Sequence, residues 1–492
     1  MKTKVKPGRE EWKVSKSERW AYIAGRVGIF GEQGLVPGMM NTFLLFNGIS
    51  LTSVAIFTLL VKIIDAVDDL LFGYLVDKLD LKQNNFLKKL GGSGRYMPWL
   101  RCFIWIFPIA VVLFFLMPAS ISEGAKIAWF AVTYLLYDLT YTIVDVPTQA
   151  LTMTITDVPE ERNSLLTVGM LVITGIMYAM AMVQTVLISE SVGMSVAAVG
   201  IMLAVIYAIP MIPFTFKVKE HNGEMKNVEE EKKQETYTIK EMFSAVAHNK
   251  PYLFLELSSL VRAFAMTGTA VSLFVSFYLY GSSTAMVVPG LIALVIGLVV
   301  QMLAPKICKK FGNKNTVVTS LLVCGIGGIA IYFAGWSNFS LVVVYTIVSG
   351  VIGSLQTMGA TYMMLQTIDY GKYINNRDTT GIFNSINTFI SKTAPSLASS
   401  FGLVVLAMFG WVTVNAESFA DLAAQNIMQP DSALTGLWVL NTLIPAIGTL
   451  VAGLVLLFFY KLTDEDARLM SKCIAGEITR EECEAALQVK TK

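Results

Sequence analysis

Runs of about twenty mainly apolar residues, the length a helix needs to cross about 30 Å of hydrocarbon, recur about twelve times. They start near Ala21, Ser53, Pro98, Ile127, Leu165, Ala197, Tyr252, Ala285, Thr316, Leu341, Phe383 and Leu434. The polar connections between them are of two kinds. Seven basic residues precede Trp20, and the connections after the second, sixth and eighth runs carry most of the rest, whereas the opposite connections share one, Lys126. Basic residues stay on the cytoplasmic side, so both termini and the central loop are expected there. That loop, 218–251, is rich in lysine and glutamate and has no apolar period, so it reads as a linker. The pattern predicts an all-α membrane protein with twelve transmembrane helices in two six-helix bundles, 20–217 and 252–462, between cytoplasmic tails 1–19 and 463–492. The first nineteen residues are polar and lack the apolar core of a signal peptide.

Composition agrees. Hydrophobic residues make up 54% of the chain and charged residues 15%, with a mean hydropathy of +0.59, which excludes a soluble core and places the chain in the cell membrane. A net charge of +2 gives no ground for nucleic acid as a partner. The five cysteines form no CxxC pair, so neither a disulfide framework nor a zinc site is indicated. No nucleophile–base pair or cofactor motif stands out; an enzyme is the least favoured class, and no cofactor is expected. The halves also echo each other. Gly73, Asp77, Lys78 and Gly94-Arg95 follow the second run, and Lys309, Lys310, Gly312 and Lys314 follow the eighth. A Gly/basic hairpin at matching places of two pseudo-symmetric halves is the pattern of the major facilitator architecture.

The second run holds the most expensive residues. In KIIDAVDD, Lys62, Asp65, Asp68 and Asp69 share one helical face inside a stretch otherwise apolar enough to span. Charges at that depth cost about 2.5–3.5 kcal/mol each on insertion scales, so they face a cavity or a bound cation. Three carboxylates within about a turn oppose full ionisation. A cation relieves the conflict better than one lysine can. Because His221 and His248 both lie in or beside the central loop, no histidine relay is available within the spans.

The fourth run supplies a second polar stripe: Asp138, Thr142, Asp145 and Gln149 fall at i, i+4, i+7 and i+11, with Pro147 inviting a kink that frees backbone carbonyls. Taken alone, Thr142 is expected to bond back to its own helix. Lys392, the one charge near the middle of the eleventh run, is expected to face the interior and pair with aspartates.

Together, VKIIDAVDDLLFGYLVD, GRYMPWL, YLLYDLTYTIVDVP, TIDYGKY and the Lys392 segment resemble the glycoside–pentoside–hexuronide:cation symporters, in the right order and from Tyr22 to Leu462. The resemblance implies that Asp65 and Asp69 hold the coupling cation, Na+ or H+, with Thr142 joining them and Asp68 standing where the family's melibiose carrier has an asparagine. It implies that Asp145 binds sugar hydroxyls and that Lys392 lies near the site. Its helix I acid falls at Gln33, beside Glu32. Gln149 replaces a stacking aromatic, and Met170 replaces an arginine of the fifth helix.

These readings converge on a secondary active symporter for a sugar or glycoside, with a monovalent cation and the bilayer as its other partners. Tyr137 or Tyr141 is the nearest candidate to stack on a sugar ring. Losing the arginine at Met170 favours a neutral glycoside other than a simple galactoside. A lipid or lysolipid carrier of the same fold and a non-transporting sensor are the alternatives. The loop Leu79 to Gly94 and the tail after Leu462 are expected to be solvated surface.

Overall fold

The computed structural model describes residues 12–61, 64, 96–156, 158–221, 244, 246–375, 377 and 379–487. All named elements among them are helices. In chain order they are α1 (Lys16–Phe46), α2 (Leu51–Val61) and α3 (Met97–Phe115), α4 (Glu123–Thr154), α5 (Pro159–Leu187), and α6 (Val196–Lys217) and α7 (Lys250–Tyr280). There follow α8 (Val287–Phe311), α9 (Asn313–Ala334), α10 (Phe339–Asn375), α11 (Thr380–Met408), α12 (Asp431–Phe459), α13 (Asp464–Ile474) and α14 (Arg480–Ala486).

Ten helices among the described residues, α3 to α12, are long and apolar enough to cross a membrane. Helix α1 has 31 residues, about 46 Å at 1.5 Å per residue. Each apolar run of the sequence therefore begins in a helix of its own, and the chain is a multi-pass membrane protein. The acidic cluster of the second run and the loop Leu79 to Gly94 lie outside the described residues.

The chain forms two compact units, one of Met1–Lys233 with Thr413–Ile427 and one of Gln234–Val412 with Met428–Lys492. In the first unit, α1 lies against α6 along a glycine stripe. A Cβ at Gly25 would strike the Phe214 ring, at Gly28 the Tyr207 carbonyl, and at Gly31 the Tyr207 ring. Such close approach is how helices associate without a hydrophobic drive between them. It also fixes the rotation of α1, and with it the face turned toward α4.

Carboxylates from distant sequence complete several termini. Glu220 accepts from the backbone N–H groups of Tyr96 and Met97, both at 2.8 Å. These are two donors that a helix start leaves unsatisfied. Glu161, fully buried, accepts from the N–H groups of Lys13 and Val14 and from the Thr156 hydroxyl. The segment Thr413–Ile427, which joins α11 to α12, is held within the first unit: Ala416 donates to the Phe46 carbonyl, Val196 to that of Glu417 and Phe419 to that of Ile188.

In the second unit, α7 is interrupted by 3-10 turns at Ala263–Met266 and Thr269–Val271. The gap is filled from both sides: the Thr267 carbonyl leaves no room for a Cβ at Gly402, and the Thr267 hydroxyl donates to the Leu440 carbonyl at 3.3 Å. The tail after Leu462 departs from the sequence expectation. Its helices pack Ala467, Met470 and Cys483 against Tyr370, Tyr373, Leu321 and Tyr460, because α13 sets an apolar stripe opposite its charges. Asp464 ties the same tail to the start of α9, accepting from the Asn313 backbone N–H (2.9 Å) and side-chain amide (3.0 Å) and from the Gln366 amide (2.8 Å).

Candidate functional site

Asp65, Asp68 and Asp69 lie outside the described residues, so the site is built from what surrounds the second run. Helix α2 brings Thr58, one turn ahead of Lys62. It is 6% exposed, and its hydroxyl has no hydrogen-bond partner among the described residues.

Helix α4 carries the rest of the first unit's polar stripe. Asp138 and Thr142 are buried, Asp145 is half-buried and Gln149 is exposed. The Gln149 amide donates to Asp145 Oδ2 at 2.7 Å, so these two act as one polar group. The threonines of α4 provide an internal control. Thr133, Thr140, Thr148, Thr152 and Thr154 all donate to carbonyls three or four residues back. Thr142, 1% exposed, does not, and among the described residues its oxygen has no hydrogen-bond partner. A buried hydroxyl left unbonded costs about 1–3 kcal/mol. Back-bonding, the ordinary fate of a helix threonine, is thus not its role here.

Two prolines open carbonyls beside this stripe. Pro147 cannot donate to the carbonyl of Ile143, and Trp99 of α3 does so instead, Nε1 to O at 2.7 Å. Pro37 likewise frees the carbonyl of Gln33, which accepts from the Tyr137 hydroxyl of α4 at 2.7 Å. Tyr137 and Tyr141 both flank the Phe107 ring, at 5.7 and 5.8 Å between centroids. Helix α4 remains unbroken through Pro147.

Helix α1 separates the two neighbours that the sequence left paired. Gln33 is half-buried on the side of α4, whereas Glu32 points about 100° away, is fully buried, and among the described residues has neither carboxylate oxygen in a hydrogen bond. The site also contains an arginine that the sequence reading passed over. Arg26 lies on the Gln33 side with Phe30 between them, at i, i+4 and i+7. Its Nη1 donates to the Tyr22 hydroxyl (3.1 Å) and to Thr152 Oγ1 (3.3 Å).

In the second unit, Lys392 is exposed on α11 along one stripe with Asn384, Ser385, Thr388 and Ser391, all exposed as well. A polar stripe on a spanning helix lines water rather than lipid. Two further charges there were legible only as lone ions in apolar runs. Arg262 stands exposed at the end of the first part of α7. Glu256 is 4% exposed and accepts from the Asn387 amide at 2.9 Å, with Oε2 outside any hydrogen bond.

A membrane chain of paired helical units with ionisable stripes in its spans describes a solute transporter. The chain matches the family described as MFS/sugar transport protein over residues 22–464, and it belongs to the glycoside–pentoside–hexuronide:cation symporter family of the major facilitator superfamily. An uncharacterized symporter of Bacillus subtilis (strain 168), YnaJ, is 26% identical over 471 residues, which is 93% of this chain and 94% of that one. The isoprimeverose transporter of Lactiplantibacillus pentosus is 25% identical over 468 residues, 93% and 91% of the two chains. Among solved structures, that of a D-xylose-proton symporter covers 91% of this chain and 98% of its own at a TM-score of 0.57 and 13% identity, a likeness of fold.

Proposed function

We propose that the protein is a cation-coupled sugar or glycoside symporter of the cell membrane, with both termini in the cytoplasm. The cation is held by Asp65, Asp69 and Thr142, with Asp68 beside them. In the first unit the candidate solute ligands are Asp145 with its partner Gln149, Gln33 and Tyr141, and in the second unit the candidate is Lys392. The names of the relatives support a sugar, and the unbonded Thr142 hydroxyl carries the cation assignment. Lone pairs on a buried hydroxyl suit a hard metal ion, and a proton would need only the carboxylates. Sodium is therefore the favoured coupling ion.

Coupling follows from charge. A cation among the aspartates of the second run removes their mutual repulsion and fixes the α4 stripe that carries Thr142 and Asp145 on one helix. By reciprocity the solute must then tighten the cation to the same degree. Thr142→Ala should abolish sodium stimulation of uptake, and Thr142→Ser should keep most of it. Full sodium stimulation in Thr142→Ala contradicts the assignment.

A further inference from the structure

Two cysteines that stand ten residues apart in the sequence, Cys473 and Cys483, meet in the folded tail. Helix α13 ends on a chain reversal: Gly476, at φ 74°, donates its N–H to the Cys473 carbonyl at 3.0 Å, and Glu477 donates to that of Lys472 at 2.9 Å. Thr479 then opens α14 with a capping box. Its hydroxyl accepts from the Glu482 N–H, and the Glu482 carboxylate accepts from the Thr479 N–H. With both ends of the turn fixed, α14 folds back on α13, and Cys483, one turn into α14, is set against Cys473. The two side chains are in hydrogen-bond contact.

The thiols differ in access. Cys483 is fully buried in one cluster with Tyr373 and Met470, whereas Cys473 is half-buried at the edge of that cluster. The Arg480 guanidinium lies 5.1 Å from the Tyr373 ring centroid and holds the start of α14 to α10. A small reagent therefore reaches Cys473 first. Two facing thiols can bind a soft metal or join as a disulfide. A metal site of this kind takes three or four protein ligands, and among the described residues no group of three His, Cys, Asp or Glu side chains could hold one. The pair suits a disulfide.

We infer that Cys473 and Cys483 are a site of reversible disulfide formation that clamps α13 to α14, with Cys473 as the entry thiol, Cys483 as the resolving thiol and a low-molecular-weight disulfide as the oxidant. The Cys473 thiolate attacks one sulfur of that disulfide, whose S–S bond breaks and releases one thiol. Cys483 gives up its proton and attacks the Cys473 sulfur, and the mixed disulfide breaks to release the second thiol. The protein dithiol is oxidised and the small disulfide is reduced to two thiols. On the proposed cytoplasmic side, where thiols are kept reduced, the bridge is a transient modification. Closing this short loop removes open states of the hairpin, so the oxidised tail stays folded on Tyr373. The inference is independent of the solute and of the coupling ion.

The test uses the purified full chain, reduced, freed of reductant and incubated with oxidised glutathione, then read by peptide mass mapping without reduction. Native protein, Cys473→Ser and Cys483→Ala are compared. Native protein should yield peptides linked through Cys473 and Cys483, and reduced glutathione should reverse the link. Cys483→Ala should keep a glutathione adduct on Cys473, about tenfold more abundant than in native protein, because nothing resolves it. Cys473→Ser, at a half-buried position, carries the test if Cys483→Ala does not fold; its Cys483 should remain unmodified. Tryptic cleavage after Arg480 should be about tenfold slower in the oxidised native protein than in the reduced one. A lasting adduct on Cys473 in native protein, reaction of neither thiol, or chains cross-linked through Cys473 would each overturn the inference. So would modification of Cys483 in folded Cys473→Ser, or equal cleavage of the oxidised and reduced forms.

Discussion

Trp99 of α3 donates its indole N–H to the carbonyl of Ile143, the acceptor that Pro147 leaves without its helical donor. A helix carrying Asp145 and Gln149 thus keeps its course past a proline because a neighbouring helix supplies the missing hydrogen bond. Tyr137 does the same for the carbonyl that Pro37 frees in α1. Both prolines lie within a turn of candidate solute ligands, and both repairs come from aromatic donors. The polar stripes of α1 and α4 are therefore held by bonds between helices.

The first prediction tests that device. Trp99→Phe should destabilise the protein by about 1–3 kcal/mol, the cost of leaving a buried carbonyl unpaired. In a Pro147→Ala background, where residue 147 regains its N–H, the same change should cost clearly less. Thermal unfolding of the four proteins in detergent gives the cycle. Additive losses would show that Trp99 acts through packing alone.

Gln149 holds Asp145 at 2.7 Å, and the pair should act together on the solute. Gln149→Leu is expected to weaken solute affinity about tenfold, about 1.4 kcal/mol, with sodium affinity in the absence of solute unchanged. Isothermal titration with each ligand measures both. Unchanged solute affinity would place the pair outside the site.

The tail gives a prediction about stability. Met470 and Cys483 are fully buried, and burial pushes the Cys483 thiol above its ordinary range. The thiolate is the reactive form, so alkylation of Cys483 should be slow at neutral pH and rise as pH increases. Met470→Asp forces a charge into that cluster and should cost about 3 kcal/mol or more. It should also speed Cys483 alkylation, followed by peptide mass mapping. Native-like protection of Cys483 in that variant would mean that the tail does not pack on the helices.

Much of this was legible because a spanning helix punishes charge. The order of the helices, the acidic second run and the stripe from Asp138 to Gln149 follow from apolar length and helical spacing. What escaped reading depends on partners far away in sequence. Trp99 and Ile143 are 44 residues apart, and Tyr137 and Gln33 are 104 apart, so local pattern reveals the prolines but not their donors. Nothing in the local pattern singles out Arg26, whose partner Thr152 is 126 residues away; the glycine stripe at Gly25, Gly28 and Gly31 fixes which way α1 turns. The split between Glu32 and Gln33 has the same origin. The tail's apolar stripe was visible, but the surface that receives it was not.

Sodium-dependent counterflow in proteoliposomes tests the central claim most directly. Native protein, Asp69→Asn and Thr142→Ala are compared with a labelled glycoside, with and without sodium. The account predicts that sodium accelerates counterflow in the native protein and that both variants, correctly folded and inserted, lose this acceleration. Counterflow of the glycoside that is indifferent to sodium in the native protein, or sodium acceleration that survives in both variants, would contradict it.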